Sequence, residues 1–133
     1  MSTRSQIEFY WENPINGNPF CASIYHHFDG YPEERLHNIQ ATYDLAIEHY
    51  KMNDGYEYRV KDLYPTDIAA FYILANKKGC GDVEIGNQRH GGIEYLYKVW
   101  ALDGVPYVEI ISAYDGTLFT GTLEEALTFD WVE

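Results

Sequence analysis

The chain has 133 residues, of which 46% are hydrophobic, which is typical of one globular domain and excludes disorder as its main state. It carries 21 Asp and Glu against 9 Lys and Arg, so its formal net charge is −12. Such a charge repels phosphate backbones, which argues against direct nucleic-acid binding and favours a basic partner. No apolar run approaches the roughly 18–20 residues of a membrane span, so we expect no membrane insertion.

The first third of the chain predicts a β-hairpin followed by a helix. Residues 6–11 and 20–25 have strand patterns, and the segment between them is dense in turn formers. Asp29-Gly30-Tyr31-Pro32 predicts a tight turn with Gly30 at positive φ and with Pro32 in the first turn of a helix. Apolar residues at steps of three and four predict that this helix is amphipathic and spans residues 33–52.

A second helix is predicted to open at Pro65-Thr66-Asp67. Residues 68–75 of this helix are apolar on every side, including Phe71 and Leu74. A helix of this composition is usually buried all round, so we expect it at the centre of the core.

The remainder of the chain predicts a β-meander with strands at 82–85, 93–102, 106–114 and 117–120. Two Asp-Gly pairs between apolar runs indicate hairpin turns. Thr122 and Glu125 have the spacing of a capping box, which opens a short final helix.

This order of elements predicts one α+β domain over residues 1–133. An antiparallel sheet, made of the N-terminal hairpin and the C-terminal meander, is expected to pack on two central helices and to be followed by a short C-terminal helix. The two cysteines, Cys21 and Cys80, lack the spacing of a metal site and fit either a reducing compartment or one disulfide. The first residues contain no signal-peptide core, so we expect a cytoplasmic location.

His27 and Asp29 would face the same side of a continuing strand, about 6–7 Å apart. A His and a carboxylate at that spacing can bind a metal or form an acid–base pair, but an Asx turn is the commoner role of such an Asp and is the favoured interpretation. The chain has no HExxH, GxSxG, P-loop or GxGxxG pattern. We therefore predict no catalytic residue, no metal ligand and no cofactor, and an enzyme is less expected than a binding protein.

Two segments resemble motifs of a family of small uncharacterised proteins from phages, bacteria and archaea. Residues 25–32, Tyr-His-His-Phe-Asp-Gly-Tyr-Pro, are similar to its Tyr-x-His-aromatic-Asp-Gly-Tyr-Pro signature. Residues 90–97 are similar to a later His-Gly-Asp-Ile-Glu-Tyr-x-Tyr segment, with Gly92 in place of the Asp. The resemblance implies an architecture and a candidate site, and it implies no particular reaction.

The two motifs are expected to meet across the sheet and to form one polar cluster. Its members are the ligand-binding candidates His27, Asp29, Tyr31, His90, Glu94 and Tyr95. Such a cluster could hold a small polar ligand, or it could be a buried network that locks the hairpin and the helix start onto the sheet. The abundance of Gly, Tyr and Pro favours the structural interpretation.

Residues 99–133 contain seven acids and no Lys or Arg, so we expect a continuous acidic surface over the sheet edge and the final helix. The partner-surface candidates are Glu109, Asp115, Glu124, Glu125 and Asp130. The resulting hypothesis is a small acidic, non-catalytic binding or accessory protein of the inhibitor or anti-defence type. It would be encoded by a phage or mobile element and would act on a basic protein in the host cytoplasm.

Two alternatives stay open. One is a metal- or nucleotide-binding enzyme or ligand-binding protein that uses His27, Asp29 and Glu94. The other is a structural protein that forms oligomers through its Tyr-rich sheet, since the chain contains 13 Tyr.

Overall fold

The computed structural model describes residues 3–14, 17, 19–27, 30–52, 63–80, 82–86, 88–129 and 131. The elements, in chain order, are β1 (Ser5–Phe9), β2 (Ala22–His26), α1 (Pro32–Lys51), α2 (Pro65–Asn76), β3 (Val83–Gly86), β4 (Tyr95–Leu102), β5 (Val105–Ser112), β6 (Gly116–Thr122) and α3 (Leu123–Thr128). This α+β architecture confirms the predicted fold class and the predicted order of elements. No helix in the described part of the chain is long and apolar enough to cross a membrane.

The strands form one six-stranded sheet in the order β3-β2-β1-β4-β5-β6. Every neighbouring pair is antiparallel except β1 and β4, which are parallel. That parallel pair joins the N-terminal hairpin to the C-terminal meander in the centre of the sheet. Because β3 and β4 then run in the same direction on opposite sides of β2 and β1, the chain between them must cross both strands.

The helices cover one face of the sheet, and alternating residues of each strand point into the core between them. The largest fully buried side chains there come from four strands, both long helices and α3: Ile7, Ile24, Tyr97, Ile110, Leu36, Ile68, Tyr72 and Leu123. The amphipathic pattern predicted for α1 is confirmed, because Leu36, Ile39 and Tyr43 are buried and Ile47 packs against the core. The opposite face, which none of the described helices covers, is called the helix-free face below.

Helix α2 corrects the expectation of a helix buried all round. Ile68, Ala69 and Tyr72 are buried, whereas Phe71 is half-buried and Leu74 is 64% exposed. The helix lies on the outside of a two-layer fold, against α1 and strands β1 and β2, so only one side of it can face the core. The uniformly apolar composition of residues 68–75 therefore predicted more burial than the helix has.

The turn before α1 is partly as predicted. Pro32 occupies the first turn of the helix, and Tyr31 is its N-cap. The expectation of a positive φ at Gly30 is wrong, because Gly30 does not belong to the positive-φ glycines. Glycine is required there for space: a Cβ at Gly30 would lie 2.8 Å from both the Ser5 Cβ and the Thr3 carbonyl oxygen.

The predicted hairpin turns are confirmed. Asp103 and Gly104 both have positive φ, 52° and 81°, as the tight turn between β4 and β5 requires. Thr122 and Glu125 form the predicted capping box at the start of α3.

Candidate functional site

A cavity of about 290 Å³ opens where the start of α1 approaches the turn between β5 and β6. It is lined by Tyr31, Pro32, Glu33, Tyr95, Asp115, Leu118 and Trp131. A second cavity of about 360 Å³ adjoins it, since the two share Glu33 and Trp131. The second cavity adds Glu34, Leu36, His37, Leu127 and Phe129. We call the two cavities together the acidic groove.

The start of α1 positions one wall of the acidic groove. The Tyr31 carbonyl accepts hydrogen bonds from the backbone amides of Glu34 and Arg35, which fixes the first turn of the helix. Glu33 and Glu34 lie in that turn, where the helix dipole favours negative charge. The Tyr31 ring is 39% exposed and lies 6.0 Å from the Tyr95 ring, measured between centroids.

An aromatic cluster after α3 positions the other wall. The Trp131 indole Nε1 donates a hydrogen bond of 2.9 Å to the carbonyl of Ala126. The Trp131 ring also contacts Phe129, at a centroid distance of 4.6 Å, and Phe119, at 6.1 Å. These contacts hold the indole against the end of α3, with part of its surface facing the cavities.

The acidic groove has the chemistry of a cation site. The carboxylates of Glu33, Glu34 and Asp115 are exposed around it, and no Lys or Arg is found among the described residues that line it. Tyr31, Tyr95 and Trp131 supply ring faces, which attract cations through their quadrupoles. A basic side chain placed there would meet both opposite charge and aromatic surface.

The structure divides the predicted ligand-binding candidates into separate groups. Tyr31 and Tyr95 meet in the acidic groove. His27 and His90 instead both contact Tyr25: the His27 Nδ1 lies 3.0 Å from the Tyr25 hydroxyl, and the His90 ring stacks on the Tyr25 ring at 3.9 Å.

Glu94 is half-buried, and its backbone amide donates to the Arg4 carbonyl. Asp29 lies outside the described residues. β1 separates β2 from β4, so the backbones of β2 and β4 lie about 9–10 Å apart, and a meeting of His27 with Glu94 stays a prediction.

The described partner-surface candidates lie on both faces of the sheet. Asp115 lines the acidic groove, and Glu124 and Glu125 are exposed on α3. Glu109 lies opposite Lys98 on the helix-free face, because strand alternation turns it away from its buried neighbours Val108 and Ile110. Asp130 lies outside the described residues.

The helix-free face carries a buried polar network that sequence reasoning missed. The side chain of Glu8 is fully buried, and its Oε1 and Oε2 accept hydrogen bonds from the Nη2 and Nε of Arg89, at 2.8 and 2.9 Å. The Tyr10 hydroxyl donates a third bond to Oε1, at 2.7 Å. Gln6 extends the network by accepting from the His90 amide and donating to the Gln88 carbonyl. We call this the Glu8 network; it fastens the β3–β4 connection across the sheet.

A second network, also missed, lies under the helices and opens into a cavity of about 260 Å³. Arg35 is 3% exposed, and its Nη1 donates to Asn38 Oδ1 at 2.6 Å and lies 3.2 Å from His26 Nε2. The Tyr72 hydroxyl and the His26 ring are also hydrogen-bonded to each other. The cavity, which we call the Arg35 pocket, is lined by His26, Glu34, Arg35, Asn38, Asn76, Lys78, Asp82 and Val83.

Burial shifts the titration of the groups beside the Arg35 pocket. Desolvation, together with the positive charge of Arg35, lowers the pKa of His26 to about 3, so its ring is neutral at pH 7. Desolvation raises the pKa of Tyr72 to about 12, with Arg35 acting in the opposite direction. Both groups are therefore neutral hydrogen-bonding partners of the guanidinium.

Metal chemistry finds no support in the described residues, where no three His, Cys, Asp or Glu side chains form a group able to hold an ion. No protein-family model, no curated protein and no solved structure matched the chain. Membership of the family whose motifs residues 25–32 and 90–97 resemble stays a prediction.

Proposed function

We propose that this protein is a non-catalytic binding module that takes a basic side chain of a partner protein into the acidic groove. The observation that carries the proposal is the grouping of Tyr31, Tyr95 and Trp131 with the carboxylates of Glu33 and Asp115 around one cavity of about 290 Å³. A cavity of this size suits a Lys or Arg side chain and excludes a large ligand.

The groove is also where two independent sequence predictions converge. Tyr31 and Tyr95 were predicted as ligand-binding residues, and Asp115 was predicted as a partner-surface residue, yet all three line the same cavity. The net charge of −12 would add long-range attraction for a basic partner and raise the association rate. An inhibitor or anti-defence role and a phage origin stay predictions of the sequence.

The test uses a fluorescently labelled, unstructured Lys- and Arg-rich peptide, with binding followed by anisotropy at constant ionic strength. The double variant Glu33→Gln/Asp115→Asn removes the two carboxylates of the first cavity. The matched control, Glu48→Gln/Glu84→Gln, removes the same charge at exposed positions that do not line the groove.

We expect the groove variant to bind about tenfold more weakly and the control to stay within about twofold of the wild type. Trp131→Leu, which keeps every charge, should also weaken binding because the ring face is lost. Equal losses in the two double variants would mean that the peptide responds to net charge alone, and the proposal would then be wrong.

A further inference from the structure

The first cavity of the acidic groove is lined by two kinds of side chain. Its buried and half-buried lining is aromatic or apolar and consists of Pro32, Tyr95, Leu118 and Trp131. The carboxylates of Glu33 and Asp115 belong to exposed residues. A cation inside this cavity therefore meets carbon surface and ring faces first, and the carboxylates act from the entrance.

The aromatic rings of the cavity are held with faces available to a ligand. The Tyr31 and Tyr95 rings are 6.0 Å apart and inclined by 58°, so neither hides a face of the other as flat stacking would. The only polar atom of the Trp131 side chain, Nε1, already donates to the Ala126 carbonyl, which leaves the ring face as what the indole offers to a ligand. Such faces attract cations, more strongly where water is excluded.

A β-bulge adds an apolar side chain to the same cavity. Ile110 pairs with Phe119, whereas the next residue, Ile111, pairs with Thr117, so Leu118 is the extra residue of β6. Leu118 and Phe119 both pack against the core under the helices. The bulge thus turns Leu118 towards the start of α1, where it lines the cavity.

We propose that the cation bound by the acidic groove is a quaternary ammonium, carried by a trimethylated Lys of the partner protein. This assignment rests on the proposed function and names the side chain that the groove takes. A trimethylammonium group keeps its positive charge and has no N–H, so it gives up no hydrogen bond when ring faces replace water. An unmodified ammonium has three donors and a guanidinium has five, and these need acceptors that apolar side chains and ring faces do not supply.

The charges around the groove favour a cation over a neutral group of the same shape. The positive end of the α1 dipole, about half an elementary charge, acts against a cation. The carboxylates of Glu33, Glu34 and Asp115 surround the groove and outweigh that partial charge. Apolar contact and charge therefore act together on a trimethylammonium group.

The first arm of the test uses choline as the probe and follows the Trp131 indole signals of the full chain by NMR. The control ligand is the neutral isostere of choline, in which a tert-butyl group replaces the trimethylammonium group, and sodium chloride is added in parallel at the same ionic strength. We expect saturable shifts with choline, about tenfold weaker binding of the isostere, and no saturable shift with sodium chloride. Equal binding of choline and its isostere, or choline shifts that do not saturate, would overturn the proposal.

Tyr31→Leu is the informative variant, and Tyr64→Leu is its matched control. Each Tyr is the N-cap of a helix that begins with Pro, and the two are 39% and 46% exposed. Tyr31 lines the groove and Tyr64 does not. We expect choline to bind about tenfold more weakly to Tyr31→Leu and with unchanged affinity to Tyr64→Leu. Equal affinities of the two variants would contradict the proposal.

The second arm compares two peptides whose single Lys, flanked by Ser and Gly, is unmodified in one and trimethylated in the other. We expect the trimethylated peptide to bind the wild type about fivefold more tightly and to lose this advantage in Tyr31→Leu. Equal affinities of the two peptides would show that the groove does not select a trimethylated Lys, even if choline binds. That result would leave the proposed function intact, since the proposed function fails only if Glu33→Gln/Asp115→Asn and its charge-matched control weaken binding of the basic peptide equally.

Discussion

The two faces of the sheet bury polar groups in different ways. On the helix-free face, the carboxylate of Glu8 is fully buried and receives three hydrogen bonds from Arg89 and Tyr10. Under the helices, the guanidinium of Arg35 donates to Asn38 Oδ1 and lies 3.2 Å from His26 Nε2, beside a cavity. The first network is closed, in the sense that the opposite charges of Glu8 and Arg89 pair with each other, whereas the second borders a cavity.

The comparison shows that buried polarity alone does not indicate a binding site. The Glu8 network joins β1 to a connection more than 80 positions further along the chain, and its bonds explain why it is there. In the Arg35 pocket the polar groups instead surround a cavity whose lining includes Lys78 and the carboxylates of Glu34 and Asp82. The presence of a cavity, and the charge around it, separates a candidate site from a structural network.

Removing Arg89 should produce the largest effect and tests whether the Glu8 network is closed. Arg89→Met would leave the buried Glu8 carboxylate without its ion-pair partner, which we expect to cost about 3 kcal/mol of unfolding free energy, measured by urea denaturation. The double variant Glu8→Gln/Arg89→Met should recover a large part of that loss, because no charge is then buried. A double variant as unstable as the single one would show that the loop, and not the charge, is responsible.

A fall in pH should destabilise the folded protein through His26, which belongs to the network under the helices. Since the pKa of His26 is about 3 in the folded protein and about 6.5 in an unfolded chain, the unfolded state takes up a proton first as the pH falls. The contribution of neutral His26 to stability is fully present above about pH 6.5. Between pH 6 and pH 4, the unfolding free energy should fall by about 1.4 kcal/mol per pH unit as this contribution is lost.

The measurement is the slope of unfolding free energy against pH in the wild type and in His26→Gln. The slope for the variant should be smaller by the amount that corresponds to the uptake of one proton on unfolding, even if the variant is less stable at pH 7. Identical slopes would show that His26 takes up its proton in the folded state, and the two networks would then be less different than the structure indicates.

Gly30 lies where β1, the start of α1 and β4 meet, and its replacement tests how tightly this junction is packed. The Gly30 amide donates to the Thr3 carbonyl, and its own carbonyl accepts from the Tyr97 hydroxyl at 2.6 Å. Gly30→Ala puts a Cβ 2.8 Å from backbone and side-chain atoms, so we expect a loss of about 1–3 kcal/mol in unfolding free energy.

The matched control for this change is Gly91→Ala. A Cβ at Gly91 has no neighbour within 4 Å, and the stability of that variant should stay within about 0.5 kcal/mol of the wild type. If both glycines tolerate alanine equally, the junction has room that the structure does not show.

The sequence predicted the elements of the fold because their signals are local. Alternation, helical spacing, Asp-Gly turns and the capping box at Thr122 all act within a few residues. The same signals could not reveal the parallel pairing of β1 with β4 or the bond from Arg89 to Glu8, since periodicity does not say which elements are neighbours.

The candidate site was predicted in part for the same reason. Tyr31, Tyr95 and Asp115 were all named, but Trp131 and Glu33 were not, because the groove exists only where α1 approaches the turn after β5. His26 and Arg35 gave a detectable signal: each is a polar residue at a position that the strand or helix pattern turns towards the core. That signal indicates burial, and only the cavity beside them indicates a site.

The smallest effect is expected from the two acids of α3, which belong to neither network. Glu124 is exposed, and Glu125 accepts hydrogen bonds from the backbone amide and hydroxyl of Thr122, which lower the pKa of its carboxyl. Gln at position 125 keeps an acceptor for both bonds, so Glu124→Gln/Glu125→Gln should keep its melting temperature within about 2 °C of the wild type in a thermal scan. Since neither residue lines the acidic groove, the same variant should bind the basic peptide more weakly only by the small, salt-sensitive amount expected for distant charges. A loss of peptide affinity as large as that of Glu33→Gln/Asp115→Asn would show that the peptide binds at α3 and not in the groove.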